Sequence, residues 1–336
     1  MSATVVATPE KLEHVIAHAL GASSVSAVNA AIVARALAQA EIDGQKGHGI
    51  ARVGPYTMHV RAGKVDGQAS PAAELTRPAT LMIDARGGFA YPAFELALAR
   101  LPAMARAHGI ASAGITHSHH YGVAGYHVER YADLGLVALV MGNTPEAMAA
   151  WGGRRALFGT NPLAFAAPQR GRPPLVMDMA LTEVARSKVR AAADKGVPIP
   201  PTWAVDKSGK PTTDARAALE GTLMPIGGAK GSALALMVEV LAVALTGARF
   251  GYEASSFFDG KGGPPGVGQM LIVIDPDAFA GAGQFGDRLA DLVGMIEADG
   301  ARLPGSRRLA LREAARCDGV SVDRKLWEEA LAIAGV

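Results

Sequence analysis

Apolar residues recur at helical spacing from Pro9 to Ala40, first as Leu12, Val15, Ile16 and Leu20 and then as Val28, Ile32 and Leu37. That period of three to four predicts Ala-rich helices at the start of the chain. A further helix is predicted over 56–65, closed by Gly63. From Ala79 the pattern shortens. Thr80-Leu81-Met82-Ile83-Asp84 reads as a strand, 94–107 as a helix and 109–116 as a buried strand, with further strands at 136–141, 163–167 and 175–179. A Pro-rich loop runs from 198 to 213 and turns at Ser208-Gly209. One long helix is expected over 231–245, then a glycine-rich stretch over 257–268 that leads into a buried strand at 270–275. Helices over 287–298, 308–316 and 323–334 close the chain. Strands between two helical ends predict an α/β (mixed α+β) architecture whose chain ends pack together. The expected division is a helical region over 1–75 that packs with helices over 283–336, and a sheet region over 76–282. No internal repeat is visible.

Composition narrows the class. The 336 residues suffice for two packed lobes, and 49% hydrophobic against 19% charged residues excludes a disordered chain. A net charge of +2 without any Lys/Arg run excludes a basic nucleic-acid surface. The single Cys317 excludes an intramolecular disulfide, suits a reducing compartment and is expected to be small apolar filler. The first twenty residues carry Glu10, Lys11, Glu13, His14 and His18, which is not the pattern of a signal peptide. The most apolar run, 233–245, contains Glu239 and is too short to span a membrane. A soluble, cytoplasmic protein is expected.

Candidate chemistry gathers at a few places. Gly47-His48-Gly49-Ile50-Ala51-Arg52 sets an imidazole and a guanidinium four residues apart. If the chain turns helical after Gly49, both fall on one face. Arg grips a carboxylate with two hydrogen bonds, and His passes protons near neutral pH. The plainer reading is a loop in which both side chains satisfy main-chain carbonyls. Thr116-His117-Ser118-His119-His120-Tyr121-Gly122 follows a buried strand and continues through Val123, Ala124 and Gly125 as small-residue turns, as suits a ligand crevice. Its three histidines have no Cys or acidic cluster to complete a metal site, so no metal is expected. Gly227-Gly228-Ala229-Lys230-Gly231 precedes the longest apolar helix, where free amides and a lysine can meet an anion or simply start a helix. It is not a Walker loop, and no Gly-x-Gly-x-x-Gly stands between a strand and a helix. Gly142-Asn143-Thr144-Pro145 and Gly159-Thr160-Asn161-Pro162 are paired turns that offer Asn and Thr groups at strand ends. Asp178 and Glu183 bracket a strand-to-helix passage where a carboxylate can hold a ribose hydroxyl, and Pro304-Gly305-Ser306-Arg307-Arg308 offers phosphate-binding groups. Together these favour a site for a nucleotide and a small carboxylic acid.

In this order the motifs resemble the malate/L-lactate dehydrogenase family that lacks a Rossmann fold, whose members include sulfolactate and ureidoglycolate dehydrogenases and Δ1-piperideine-2-carboxylate reductases. The resemblance covers nearly the whole chain, with Phe257-Phe258 and Pro304-Gly305 completing it. It implies a family-specific mixed sheet flanked by helices, an intertwined homodimer, and hydride transfer between NAD(H) or NADP(H) and C2 of a 2-oxo or 2-imino acid. Carried over, His48 is the acid/base, Arg52 the carboxylate clamp and Thr160 a substrate contact. His120, Tyr121, Gly122, Val123, Ala124, Asp178, Met179, Ala180, Ala229, Lys230, Pro304, Gly305, Ser306 and Arg307 line the cofactor. Two positions depart from the family. The residue before the His is commonly Ser and here is Gly47. Ketimine-reducing members carry an acidic residue in the segment after the Asp178 strand, where this chain has Ser187-Lys188. The departures favour a 2-hydroxy acid dehydrogenase over a cyclic ketimine reductase. A nucleotide-binding relative without turnover is the remaining expectation.

Overall fold

The computed structural model describes residues 3–336. Strand β1 (Thr4–Ala7) leads into α1 (Pro9–Gly21) and α2 (Ala27–Ile42). Thr8 and Ser26 cap these helices by accepting main-chain amides of Lys11 and Asn29. The expected helix after Gly49 does not form directly. Two 3-10 turns, Lys46–His48 and Ile50–Arg52, meet at Gly49, which is not helical, and α3 (Val53–Arg61) begins only beyond them. Gly49 has to be glycine here, because a Cβ would stand 2.0 Å from the buried Glu41 carboxylate. That carboxylate accepts the Ile50 amide at 3.1 Å and pairs with Lys46 at 2.8 Å.

The middle of the chain builds the main sheet. Its elements run β2 (Ala72–Arg77), β3 (Thr80–Asp84), α4 (Ala90–His108), β4 (Ile110–Ser118), α5 (Ala124–Ala132) and β5 (Val137–Gly142). Short strands β6 (Met148–Ala149) and β7 (Ala156–Phe158) precede the long hairpin of β8 (Leu163–Gln169) and β9 (Arg172–Met179). Then come α6 (Arg186–Lys195), β10 (Ala204–Val205), α7 (Ala215–Glu220), β11 (Thr222–Leu223) and α8 (Ala229–Glu239). Strand β12 (Val267–Ile274), α9 (Ala282–Ala298), α10 (Ser306–Asp318), β13 (Val320–Asp323) and α11 (Arg324–Ala334) finish the chain.

Seven strands pair in the order β2-β3-β4-β12-β5-β8-β9, with only β3 and β4 parallel. Helix α4 is the crossover between those two, as parallel neighbours require. Leu81, Ile83, Ala113, Ile115, Leu271 and Val273 point into a core covered by Phe94, Leu101, Val128 and Tyr131 of α4 and α5. The opposite face packs Met141 against Ala235, Val238 and Ala242. A second core joins the chain ends. Leu12, Ile16, Val33 and Leu37 meet Val322, Trp327 and Ala330, and β1 pairs antiparallel with β13. Helix α9 lies instead beside β8.

Three local readings change. The small-residue turns expected through Val123, Ala124 and Gly125 pass at Ala124 into helix α5, because small Gly125 lets the helix lie against Val176 and Asp178. The long helix over 231–245 is two pieces, α8 and a π turn over Val240–Ala244. There Thr246 Oγ1 donates to the Ala242 carbonyl at 2.6 Å, and Gly268 of β12 passes so close that a Cβ would stand 1.9 Å from that oxygen. Cys317 is exposed on α10 and so is not core filler. No described helix is long and apolar enough to cross a membrane.

Candidate active site

A cavity of about 770 Å³ opens between the two cores, lined by His48, Arg52, His120, Thr144, Thr160, Lys188 and Phe257 among others. The loop that carries His48 is fixed from below. Glu41 of α2 holds the Ile50 amide, and Lys46 also donates to the Ser321 carbonyl of β13 at 2.6 Å. Arg52 Nε donates to the Gly47 carbonyl at 2.7 Å. The plainer reading of the loop is therefore met by one nitrogen only. The terminal guanidinium nitrogens of Arg52 make no hydrogen bond among the described residues, which leaves the planar fork for a ligand.

His48 stacks on His120, with ring centroids 5.3 Å apart and planes 12° apart. Burial, and then the nearby Arg52 charge, push the His48 pKa down to about 3. His120 is held well below the usual range by burial, then Arg52, then His48. Its Nδ1 is 2.6 Å from the Tyr56 hydroxyl, which lies 2.9 Å from the Tyr91 hydroxyl. Burial raises Tyr56 to about 12, so imidazoles and phenols alike are neutral at physiological pH. The Nδ1 of His48 is buried without a partner.

The paired turns divide their labour differently from the expectation. Asn143 and Asn161 are fully buried and donate toward Glu239, at 3.5 and 3.0 Å. Burial lifts that carboxyl to about 7. The asparagines therefore belong to the interior. The threonines face the cavity, and Thr144 Oγ1 accepts the Thr160 amide at 2.9 Å.

From this cavity a groove continues past Val123, Asp178 and Met179 to Pro304, Gly305 and Arg307. Asp178 Oδ2 accepts the Gly125 amide at 2.8 Å, which fixes the start of α5 on the groove wall. The structure thus brings together His48, Arg52, Thr160, 120–124, 178–180, Pro304, Gly305 and Arg307, with Ser306 beside them at the start of α10. Ala229 and Lys230 are exposed at the start of α8 and line neither cavity. Arg308 is buried against Glu129 at 2.6 Å, with Nε and Nη2 unpartnered, whereas Arg307 is exposed on the groove. A long groove with unpartnered donors at both ends fits an extended dinucleotide. No group of three or more described His, Cys, Asp or Glu residues forms a metal cluster.

Several site residues escaped the sequence reading. Glu41 had one available signal, a carboxylate on the apolar side of an Ala-rich helix beside Leu37 and Ala40. Tyr56 and Arg186 had none that separates them from ordinary helix residues, whereas Thr144 was offered with its turn.

Comparison with known proteins places this geometry. The family model described as malate/L-lactate dehydrogenase matches residues 7–330. A (2R)-3-sulfolactate dehydrogenase (NADP(+)) from Chromohalobacter salexigens is 47% identical, over 88% of each chain. A Δ1-pyrroline-2-carboxylate/Δ1-piperideine-2-carboxylate reductase from Pseudomonas putida is 44% identical, over 87% of this chain and 86% of that one. The crystal structure of Δ1-piperideine-2-carboxylate reductase from Pseudomonas syringae superposes with a TM-score of 0.93 at 37% identity, covering 98% of this chain and all of that one. Sulfolactate dehydrogenase from Methanocaldococcus jannaschii gives 0.89 at 30% identity, covering 99% and 98%. The chain belongs to the malate/L-lactate dehydrogenase family.

Proposed function

We propose that this protein is an NAD(P)-dependent oxidoreductase acting at C2 of a small 2-oxo or 2-hydroxy carboxylic acid. The observation that carries the reading is the meeting of His48, Arg52 and Thr160 on the walls of one cavity. The free fork of Arg52 takes the carboxylate, and the Thr160 hydroxyl helps orient it. His48 gives a proton to the C2 oxygen in reduction and takes it back in oxidation. A carboxylate on Arg52 cancels that residue's charge and so removes one of the two causes that depress His48. The groove residues 120–124, 178–180 and 304–307 hold the dinucleotide, whose nicotinamide supplies or accepts the hydride when bound. Lys230 and Ala229 lie away from this groove.

A cyclic ketimine reductase is the second reading, favoured by the close superposition on the Pseudomonas syringae enzyme. The hydroxy acid is preferred because Arg186, Ser187 and Lys188 line the cavity and bring no carboxylate from that segment. Following NAD(P)H absorbance with a panel of 2-oxo acids, sulfopyruvate included, and with cyclic imines tests both. Consumption with imines alone would replace the first reading by the second, and consumption with none would leave a nucleotide-binding relative.

A homodimer in a cytoplasmic setting is part of the proposal. Leu234, Leu236, Met237, Val240 and Leu245 form an exposed apolar face on α8 and its π turn. Such a face on one element suits burial against a second copy. The exposed free thiol of Cys317 suits a reducing compartment. Light scattering after size exclusion checks the assembly, and Leu236→Glu with Val240→Glu should give a monomer.

A further inference from the structure

Lys64 is completely buried, an uncommon state for a lysine. Its main chain seals α3: Gly63 donates to the Val60 carbonyl at 3.1 Å and Lys64 to the His59 carbonyl at 2.9 Å. Its side chain turns the other way. Nζ lies 2.5 Å from the Ser256 carbonyl, 2.8 Å from that of Lys261 and 3.0 Å from that of Asp259. Three donors thus meet three acceptors, and no carboxylate among the described residues pairs with the charge. Burial pushes the lysine pKa down, and Asp259 opposes this in part.

The segment gripped in this way is held otherwise by ring contacts, with buried Phe257 5.0 Å from His119 and Arg190 lying over Phe258 at 5.7 Å. Its remaining ties are largely local, from Ser256 Oγ to the Phe258 amide, Asp259 Oδ1 to the Lys261 amide and Ser255 Oγ to the Gly263 carbonyl. Yet it forms a wall of the cavity through Ser256, Phe257 and Phe258. The Phe257 ring lies 5.2 Å from that of His120, which stacks on His48. A single buried ammonium therefore connects the end of α3, whose start carries Arg52, with the ring that backs the histidine pair.

We propose that Lys64 is a positioning residue whose ammonium, seated among three main-chain carbonyls, sets the Ser256–Phe258 wall against His120, and that the emptied seat accepts a small monovalent cation when the side chain is cut back. Converging carbonyl oxygens are the usual surroundings of such ions. The proposal rests on the oxidoreductase reading only for its activity assay.

The test uses Lys64→Met and Lys64→Ala in the full chain. Both retain the main-chain cap of α3, so the sheet and NAD(P)H binding should persist. Catalytic efficiency should fall by about tenfold or more while cofactor affinity stays within about threefold. Hydrogen exchange at 255–263 should accelerate while that of β4 stays slow. In Lys64→Ala, millimolar ammonium should restore both exchange protection and turnover, whereas tetramethylammonium, too large for the seat, should restore neither. Wild-type activity in the variants, unaltered exchange at 255–263, or equal effects of the two ammonium ions would each overturn the proposal. Failure of both variants to fold would overturn it as well, because the lysine would then hold the whole fold rather than one wall. The exchange arm needs no substrate. A wild-type enzyme inactive on every acid and imine would count against the proposed function alone.

Discussion

His48 meets the cavity through a ring whose other nitrogen is buried and unpartnered, beside Arg52, whose terminal nitrogens are open to the cavity. His48→Gln retains the approximate size and polarity but cannot transfer a proton. Turnover should fall by about two to four orders of magnitude, with NAD(P)H titration unchanged. Near-normal turnover would move the acid/base role to His120. Gly47 is a milder test. A Cβ there meets nothing nearer than Ser187 Oγ at 3.8 Å, so Gly47→Ser should fold with a melting temperature close to wild type. A large loss of stability would show the loop to be tighter than this geometry. At this scale the sequence was most readable where residue type and chemistry coincide, as in His48 and Arg52. It misled at Asn143 and Asn161, because an Asn in a turn looks the same whether it faces a ligand or a buried glutamate.

Elements were legible wherever one face is apolar and the other polar, as in α1 and β3. Helix α5 was hidden because it is short and begins inside the Gly122–Gly125 stretch, whose small residues read as turns, although polar residues do recur along it. The break at Val240–Ala244 was hidden for another reason, since the strand it packs against so closely, at Gly268, belongs to a separate element. Gly268→Ala should force β12 away from the π turn and cost about 3 kcal/mol, read as a lower denaturant midpoint. An unchanged midpoint would mean that the π turn yields freely. Glu239 rises from the helix just before this break to meet both asparagines, so the same variant should also disturb the turn that carries Thr160.

For the whole molecule, the notable electrostatic fact is the number of histidines stored neutral. His48 is held down at about 3, His59 and His127 at about 4, and His119 and His120 well below their usual range, all first by burial. In the unfolded chain each takes a proton near pH 6.5. Between that value and about 3 to 4 the unfolded state therefore binds more protons, and stability falls as pH falls. Glu239 works in the opposite sense. Raised to about 7, it favours the folded state most below its ordinary value, and that contribution is lost as pH rises through 7. Five histidines outweigh one glutamate, so denaturant midpoints should drop between pH 7 and pH 5 by an amount equivalent to several kcal/mol. A flat profile over that range would mean that the rings take up protons in the folded state. The fold class itself was legible from alternating periods, whereas the order of strands was not, because β12 enters the sheet between β4 and β5 from far along the chain.

The pairing of β1 with β13 also has a consequence for the order in which the protein is made. The core beneath the His48 loop needs Val322, Trp327 and Ala330, and Lys46 needs the Ser321 carbonyl, yet the strands of the main sheet are all synthesised before these residues. On the ribosome, a chain complete to β12 should already hold its seven-stranded sheet while the first sixty residues wait for a partner. Arrested chains ending at residue 300 should therefore resist protease across 110–179 and be cut within 1–60. Extension through α11 should protect both regions. Catalytic competence would then arrive last and all at once, so a stalled or shortened product is a dehydrogenase scaffold that does not turn over.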